Sequence, residues 1–268
     1  MNKIELLEKS SDTEKILLAK VLDKIELAKT KNKIVSTNFL DEHEQKVALD
    51  LLKKAKIKNY VFFGGIDNAE RKIIIIYPEK LSSIFDEDIP NKEEYINSIR
   101  IQLPKQLSGK YTHRDYLGGV MKTGIAREKI GDIIVYDEGA DILVIPEITK
   151  YLQYNLPELT RFSKAKIEIE NLANIKQKEE KYEELEIIVP SMRLDSIISE
   201  LIRVSRNKGT DIIRQERVFV NFIEEVRISK EVKEEDIITI RGKGRYKIVG
   251  ILRKTKNNRI VVKVQKYV

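Results

Sequence analysis

The sequence predicts an α+β protein built in three successive parts, and three observations carry that prediction. Helical periodicities and short aliphatic runs alternate along the chain, so neither kind of element dominates. A β-α-β-β-α-β order of elements is readable between residues 91 and 173. The chain then closes with two short helices and several strands in which Ile and Val alternate with bases.

The first part, residues 1–90, reads as an α/β unit. Ser11-Asp12-Thr13-Glu14 has the form of a capping box, and the helix behind it lines up Leu18, Val21, Leu22 and Ile25 on one face. Asp41 opens a second helix with Val47, Ala48, Leu51, Leu52 and Ala55 directed inward. "YVFFG" from 60 and "KIIIIY" from 72 are strands, joined by the turn formers of "GIDNAER".

The middle part, residues 91–173, is more regular. "INSIRIQL" from 96 alternates as a strand, and Thr112 caps a helix running to Thr123. "DIIVYDEGADILVI" is a hairpin turning at Asp137-Glu138-Gly139-Ala140, and Pro146 sits in the first turn of the next helix. "KAKIEIE" from 164 supplies the last strand. This is the ferredoxin-like order, shared with RNA-recognition domains. The usual pair of stacking-aromatic motifs is not visible on its strands, and the order alone does not decide whether this sheet binds RNA.

"NIKQKEEKYEELE", residues 174–186, is charged and poor in aliphatics, and reads as a linker or a solvated helix. Residues 187–268 then form the last domain. In "MRLDSIISELIRV", Leu194, Ile197, Ile198, Leu201 and Ile202 make one apolar helix face, while Arg193, Ser199 and Arg203 point elsewhere. Ser205 caps a second helix seated by Ile212 and Ile213. "RVFVN", a strand pair turning at Gly242-Lys243-Gly244, and "RIVVKVQKYV" complete a small sheet.

Charge is unevenly spread. Residues 187–268 hold 19 Lys or Arg against 10 Asp or Glu, and ten bases follow Asp236, the last acid. Residues 1–186 hold 31 bases and 33 acids, so a polyanion-binding end is expected on a nearly neutral body. The second C-terminal helix starts Arg206-Asn207-Lys208. Cations at a helix N-terminus cost about 0.3–1 kcal/mol while no anion is present. A phosphate reverses that, because backbone N–H groups, the helix dipole, Arg206 and Lys208 then converge on it. Lys243 and Arg245 reach phosphate from the glycine-flanked turn.

Arg193-Leu194-Asp195, Ser205-Arg206-Asn207-Lys208, Ile213, Val218-Phe219-Val220-Asn221, Ser229-Lys230 and Asp236-Ile237-Ile238 resemble the S4 RNA-binding domain over residues 188–245. Gln215-Glu216-Arg217 and Glu235-Asp236 depart from its turns, which often carry glycine there. The resemblance implies that two helices and the adjoining loop sit on folded RNA through Arg193, Ser205, Arg206, Lys208, Arg217, Asn221 and Lys230. Upstream, "FFGGIDNAERKIIIIYPE" and "THRDYLGGVMKTGIAREKIGDIIV" resemble the YlmH family of bacterial S4-domain proteins, extending the likeness over nearly the whole chain. That family implies a cytoplasmic, ribosome-associated protein tied to the large ribosomal subunit and to rescue of stalled translation, with genes near cell-division genes. Ribosomal RNA is the implied partner; contact with transfer RNA stays open.

Other chemistry finds little support. Cysteine is absent, which excludes disulfides and thiolate metal sites and fits a reducing compartment. "MNKIELLEKSSD" has no signal-type apolar core, and the longest aliphatic run, Ile73 to Ile76, is far short of the ~20 residues of a membrane span. His113 and Arg114 in "YTHRDY" read as a second RNA contact or local structure rather than a catalytic site. "GGVMKTG" lacks phosphate-loop spacing. Arg193-Leu194-Asp195 also resembles the catalytic segment of pseudouridine synthases, but here it lies within the S4-like helix. The expectation is therefore a non-enzymatic RNA-binding protein with no catalytic residue, metal, cofactor, membrane or small-molecule substrate. An RNA-modifying enzyme and a cell-division scaffold are the alternatives.

Overall fold

The computed structural model describes residues 11–176 and 182–267 and divides into two compact units, residues 1–178 and 179–268. The first ten residues, read for signal character, and residues 177–181 of the expected linker lie outside the described part.

In the first unit, α1 (Asp12–Lys31) is fixed at its start by a reciprocal box: Glu14 N donates to Ser11 Oγ at 3.4 Å and Ser11 N to Glu14 Oε2 at 2.8 Å. Strand β1 (Val35–Ser36) follows, then α2 (Glu42–Lys54), boxed in the same way by Asp41 and Glu44. Strands β2 (Tyr60–Phe63) and β3 (Ile73–Ile76) complete an antiparallel sheet of order β1-β3-β2, and the short α3 (Ser82–Glu87) comes next. Every residue of β3 is buried, because both faces of the strand are covered. Ile74 and Ile76 pack with Leu18, Val21, Leu51 and Leu52 from the two helices. Ile73 and Ile75 join the core of the following segment.

That segment has the predicted order: β4 (Asn97–Gln102), α4 (His113–Lys122), β5 (Ile130–Tyr136), β6 (Gly139–Val144), α5 (Pro146–Asn155) and β7 (Lys166–Glu170). Its antiparallel sheet runs β5-β6-β4-β7. Tyr116 and Val120 of α4 and Ile148 and Leu152 of α5 share one cluster with Ile99, Ile101 and Ile142. Residues 1–90 and 91–173, expected as separate parts, share that cluster and a polar seam. Asp132 accepts from Glu70 N at 2.8 Å and Arg71 N at 3.0 Å, Arg71 Nε donates to Ile130 O at 3.1 Å, and Lys20 meets Glu128 at 2.9 Å.

The two adjacent glycines of α4 differ in kind. A Cβ on Gly119 would overlap the Phe162 ring, whereas one on Gly118 would meet nothing. Gly119→Ala is expected to cost ~1–3 kcal/mol by overpacking. Gly118→Ala should instead stabilise by about 0.4–1 kcal/mol, since alanine is the better helix former. Paired urea melts check the opposite signs.

The second unit begins earlier than the sequence reading placed it. Residues 182–186, expected within the linker, instead open β8 (Tyr182–Val189), paired along its full length with the last strand. Then come α6 (Leu194–Leu201), α7 (Arg206–Arg214), β9 (Val218–Val220), β10 (Ile223–Glu224), β11 (Ile237–Ile240), β12 (Gly244–Lys254) and β13 (Ile260–Tyr267). The six-stranded antiparallel sheet runs β10-β9-β11-β12-β13-β8. Leu194, Ile197, Ile198 and Leu201 of α6 bury with Ile212 and Ile213 of α7 against Val218, Val220, Ile238 and Val264 of the sheet. Ser199, expected to point outward, is buried, because α7 crosses above it. Its Oγ donates to Asp195 O at 2.5 Å, and a Cβ on Gly209 would lie 2.7 Å from that Oγ.

Candidate nucleic-acid interface

The corner between α6 and α7 concentrates the expected site residues. Ser205 takes the extended N-cap backbone, and its Oγ accepts from Lys208 N at 3.4 Å. Arg206, however, already has an anion. Its Nε and Nη2 each lie 2.8 Å from Asp195 Oδ2. Arg193, the N-cap of α6, reaches the same carboxylate with Nε 3.1 Å from Oδ1 and Nη2 3.3 Å from Oδ2. Ser196 N donates to Oδ1 at 3.0 Å. The Asp195 side chain is 3% exposed, while those of Arg193 and Arg206 are 43% and 53% exposed. A buried carboxylate thus fans two guanidiniums out at the surface. Burial pushes the Asp195 carboxyl up, but the hydrogen bonds and charges of the two arginines outweigh it and hold it below the usual range.

This corrects one expectation. The cation opening α7 is compensated from within the chain, so Arg206 does not depend on an external phosphate for its stability. Lys208 is different: it is exposed, and among the described residues it forms no ion pair. Asn207 is exposed beside it. The corner as a whole keeps a positive excess, two arginines and one lysine against one aspartate.

Lys230 lies beside this corner, since its carbonyl accepts from Leu194 N at 2.8 Å. Asn221 does not present a recognition amide. Its Nδ2 donates to Asp236 at 2.6 Å and its Oδ1 accepts from Ile237 N at 3.0 Å, holding the left-handed turn out of β9. Arg217, Lys243 and Arg245 gather instead around the β11–β12 turn. Arg217 Nη2 donates to Arg241 O at 2.9 Å, and Lys243 is exposed. Arg245 lies over the Phe222 ring at 5.1 Å. His113 and Arg114 belong to the other unit, exposed on the first turn of α4. There Asp115 accepts from Thr112 N at 2.9 Å and Thr112 Oγ1 at 2.8 Å, and pairs with Arg161 at 3.1 Å.

The basic end is also less one-sided than expected. Lys263, Lys266 and Arg253 meet Glu184, Glu183 and Glu186 of β8 at 2.8, 3.1 and 3.3 Å, and Lys247 meets Glu235 at 2.7 Å. Counted from residue 179, the unit holds 20 bases and 15 acids, an excess of five. Among the bases of this unit that form no ion pair within the described residues are Lys208, Arg217, Arg241 and Lys243.

On the face of the middle sheet opposite Ile99, Ile101 and Ile142, Arg100 binds Asp141 through two bonds of 2.7 and 2.9 Å and Glu170 at 2.6 Å. Tyr136 donates to Asp141 at 3.2 Å and Asn174 O accepts from Arg100 at 2.9 Å. The row of positions is filled by a closed ionic network with two carboxylates, a poor seat for a phosphate backbone. Among the described residues no group of three or more His, Asp or Glu side chains is placed to hold a metal, and no helix is long and apolar enough to cross a membrane.

Residues 90–176 match the family model described as "Putative RNA-binding domain in YlmH". That model defines a class, RNA-binding domains, for the middle of the chain. Over 226 residues the chain is 28% identical to "Ribosome-associated protein quality control protein P2" of Bacillus subtilis (strain 168), covering 83% of each protein. The chain is thus similar to YlmH proteins in its middle segment and to this ribosome-associated relative over most of its length. Among solved structures, "Cell division protein ylmH from Streptococcus pneumoniae" aligns at 22% identity with a TM-score of 0.48, over 62% of this chain and 97% of that one.

Proposed function

We propose that this protein is a non-enzymatic RNA-binding factor that grips structured ribosomal RNA and acts on the large ribosomal subunit in quality control of stalled translation. In this reading the second unit is an S4-type module with a strand added before it, and residues 91–173 form a ferredoxin-like domain. The observation that carries the proposal is the α6–α7 corner: Arg193 and Arg206, half exposed, are held in fixed orientation by buried Asp195, with Lys208 beside them. Guanidiniums held in place lose little entropy on meeting phosphate oxygens and can bind them through two bonds each. The kinship with a ribosome-associated quality control protein supplies the biological setting, and a cytoplasmic location goes with it.

Binding should be steeply salt-dependent. Neutralising about six phosphates gives a log–log slope near −4 to −5. Arg193→Gln with Lys208→Glu should weaken binding about tenfold, with far-UV circular dichroism unchanged. Arg206→Glu is a poorer test, because it would set a second carboxylate against Asp195. Unaltered affinity in the folded double variant would exclude the corner as the RNA seat.

The geometry weighs against a pseudouridine synthase role. Asp195 is enclosed, and both its oxygens are engaged by arginines. Nucleoside mass analysis of ribosomal RNA incubated with the protein should reveal no new modified base. A scaffold without RNA would yield no nuclease-sensitive RNA in a pull-down.

A further inference from the structure

The sheet of the second unit buries one face under α6 and α7 and leaves the other to solvent. Val218, Val220, Ile238 and Ile240 point to the buried side. The alternate positions carry side chains that no core requires. Pairing aligns Glu224, Phe219, Thr239 and Arg245 across β10, β9, β11 and β12, and Tyr267 with Tyr182 across β13 and β8. Arg245 lies over Tyr267 at 5.9 Å, joining the two groups into one row across all six strands. Arg241 lies over the Phe219 ring at 4.8 Å, Arg245 over Phe222 at 5.1 Å, and Tyr267 meets Tyr182 edge-on at 5.8 Å. Phe219 and Phe222 are partly exposed, and Tyr182 is 42% exposed.

We propose that this outer face is a binding surface for unpaired nucleotides of RNA, with bases stacking among Phe219, Phe222, Tyr267 and Tyr182 and phosphates meeting Arg217, Arg241 and Lys243. The inference rests on the RNA-binding reading and adds to it a second substrate class on the opposite side of the sheet from the helices. Aromatic rings at intervals, interleaved with arginines, suit a single strand, whose bases have open faces. A paired helix offers only phosphates and groove edges, which aromatic rings cannot stack on. The charge at this end favours a polyanion: Arg217, Arg241, Lys243 and Arg245 face one acid in the row, Glu224, at its edge. Glu235 and Glu184 are already taken by Lys247 and Lys263.

Fluorescence anisotropy on the full chain tests this with two labelled probes, a ten-nucleotide single-stranded pyrimidine RNA and a blunt hairpin. Phe219→Leu with Tyr182→Ala should weaken the single-strand complex roughly fivefold or more, since one stacked base is worth about that much. The hairpin complex should stay within about twofold, because helical RNA does not use the stacking rings. Arg193→Gln with Lys208→Gln should do the reverse. Arg241→Gln, at an exposed site, repeats the loss should Phe219→Leu shift the melting temperature. Single-strand binding untouched by these changes, or equal loss of both probes, overturns the inference. Wild-type protein that binds the hairpin but not the single strand overturns it too and leaves the proposed function standing. Binding of neither probe removes the RNA reading itself. Displacement of the single strand by polyglutamate but not by unlabelled RNA would mark an acidic-protein site and end the RNA assignment.

Discussion

Asp195→Asn should lower affinity for structured RNA about tenfold even though it removes a negative charge from the binding face. A tenfold change is about 1.4 kcal/mol, a modest share of what two fixed arginines contribute. The reasoning turns on what the carboxylate does. It is buried and joined to both guanidiniums, so it sets their direction rather than merely cancelling their charge. Asparagine can still accept from Ser196 N but cannot hold two arginines. A surface that attracts RNA only by net charge would bind more tightly after the substitution. Salt-titrated binding separates the two, and a rise in affinity would defeat the account. The same change should lower stability by about 1.5–3 kcal/mol, the scale of charge-assisted hydrogen bonds. The loss stays below that of a wholly enclosed ion pair, because the arginines can turn to water. Acid sensitivity follows in sign. The folded carboxyl titrates below its unfolded value of about 3.9, so its contribution is complete above that value and disappears as pH falls through the folded one. Urea midpoints measured down an acid series should show this step in the wild type and not in the asparagine variant.

Ile198→Ala should cost about 2–5 kcal/mol and abolish RNA binding with the fold of the second unit. Ile198 is fully buried in the cluster that joins α6, α7 and the sheet. Both helices sit on a sheet whose inner face is lined by small branched residues, so little is available to collapse into the cavity. Urea unfolding followed by circular dichroism measures the effect. A loss below about 1 kcal/mol would mean that the helices are loosely seated, and an arginine fan on a loose helix could not be selective.

Much of this arrangement was readable from residue order. The boxes at Ser11 and Asp41, the proline opening α5 and the apolar face of α6 are local signals, and the elements begin where those signals stand. Strand β8 is masked in the sequence although its signal is present. Leu185, Ile187 and Val189 alternate, but Glu183, Glu184 and Glu186 between them gave the segment the look of a solvated linker. Those glutamates answer lysines nearly eighty residues away, a fact of cross-strand pairing that no local window contains. The same blindness inflated the apparent charge of the C-terminal end. At the corner, Arg193, Asp195 and Arg206 are legible singly in the sequence, but no local pattern tells that α7 folds back far enough to set the second arginine on the first helix's aspartate. Asn221 shows the converse: a polar residue in a recognisable motif whose amide is consumed by its own turn.

Strand β3 has a consequence for how the first 178 residues behave as matter. Its isoleucines face two ways, half toward the N-terminal helices and half into the core that holds residues 90–176. Excising residues 90–176 alone would strip Phe39, Ile73 and Ile75 from that core and leave a wet hole where they stood. The stretch that the family model spans is therefore smaller than the part that melts, and calorimetry of residues 1–178 should record a single endotherm.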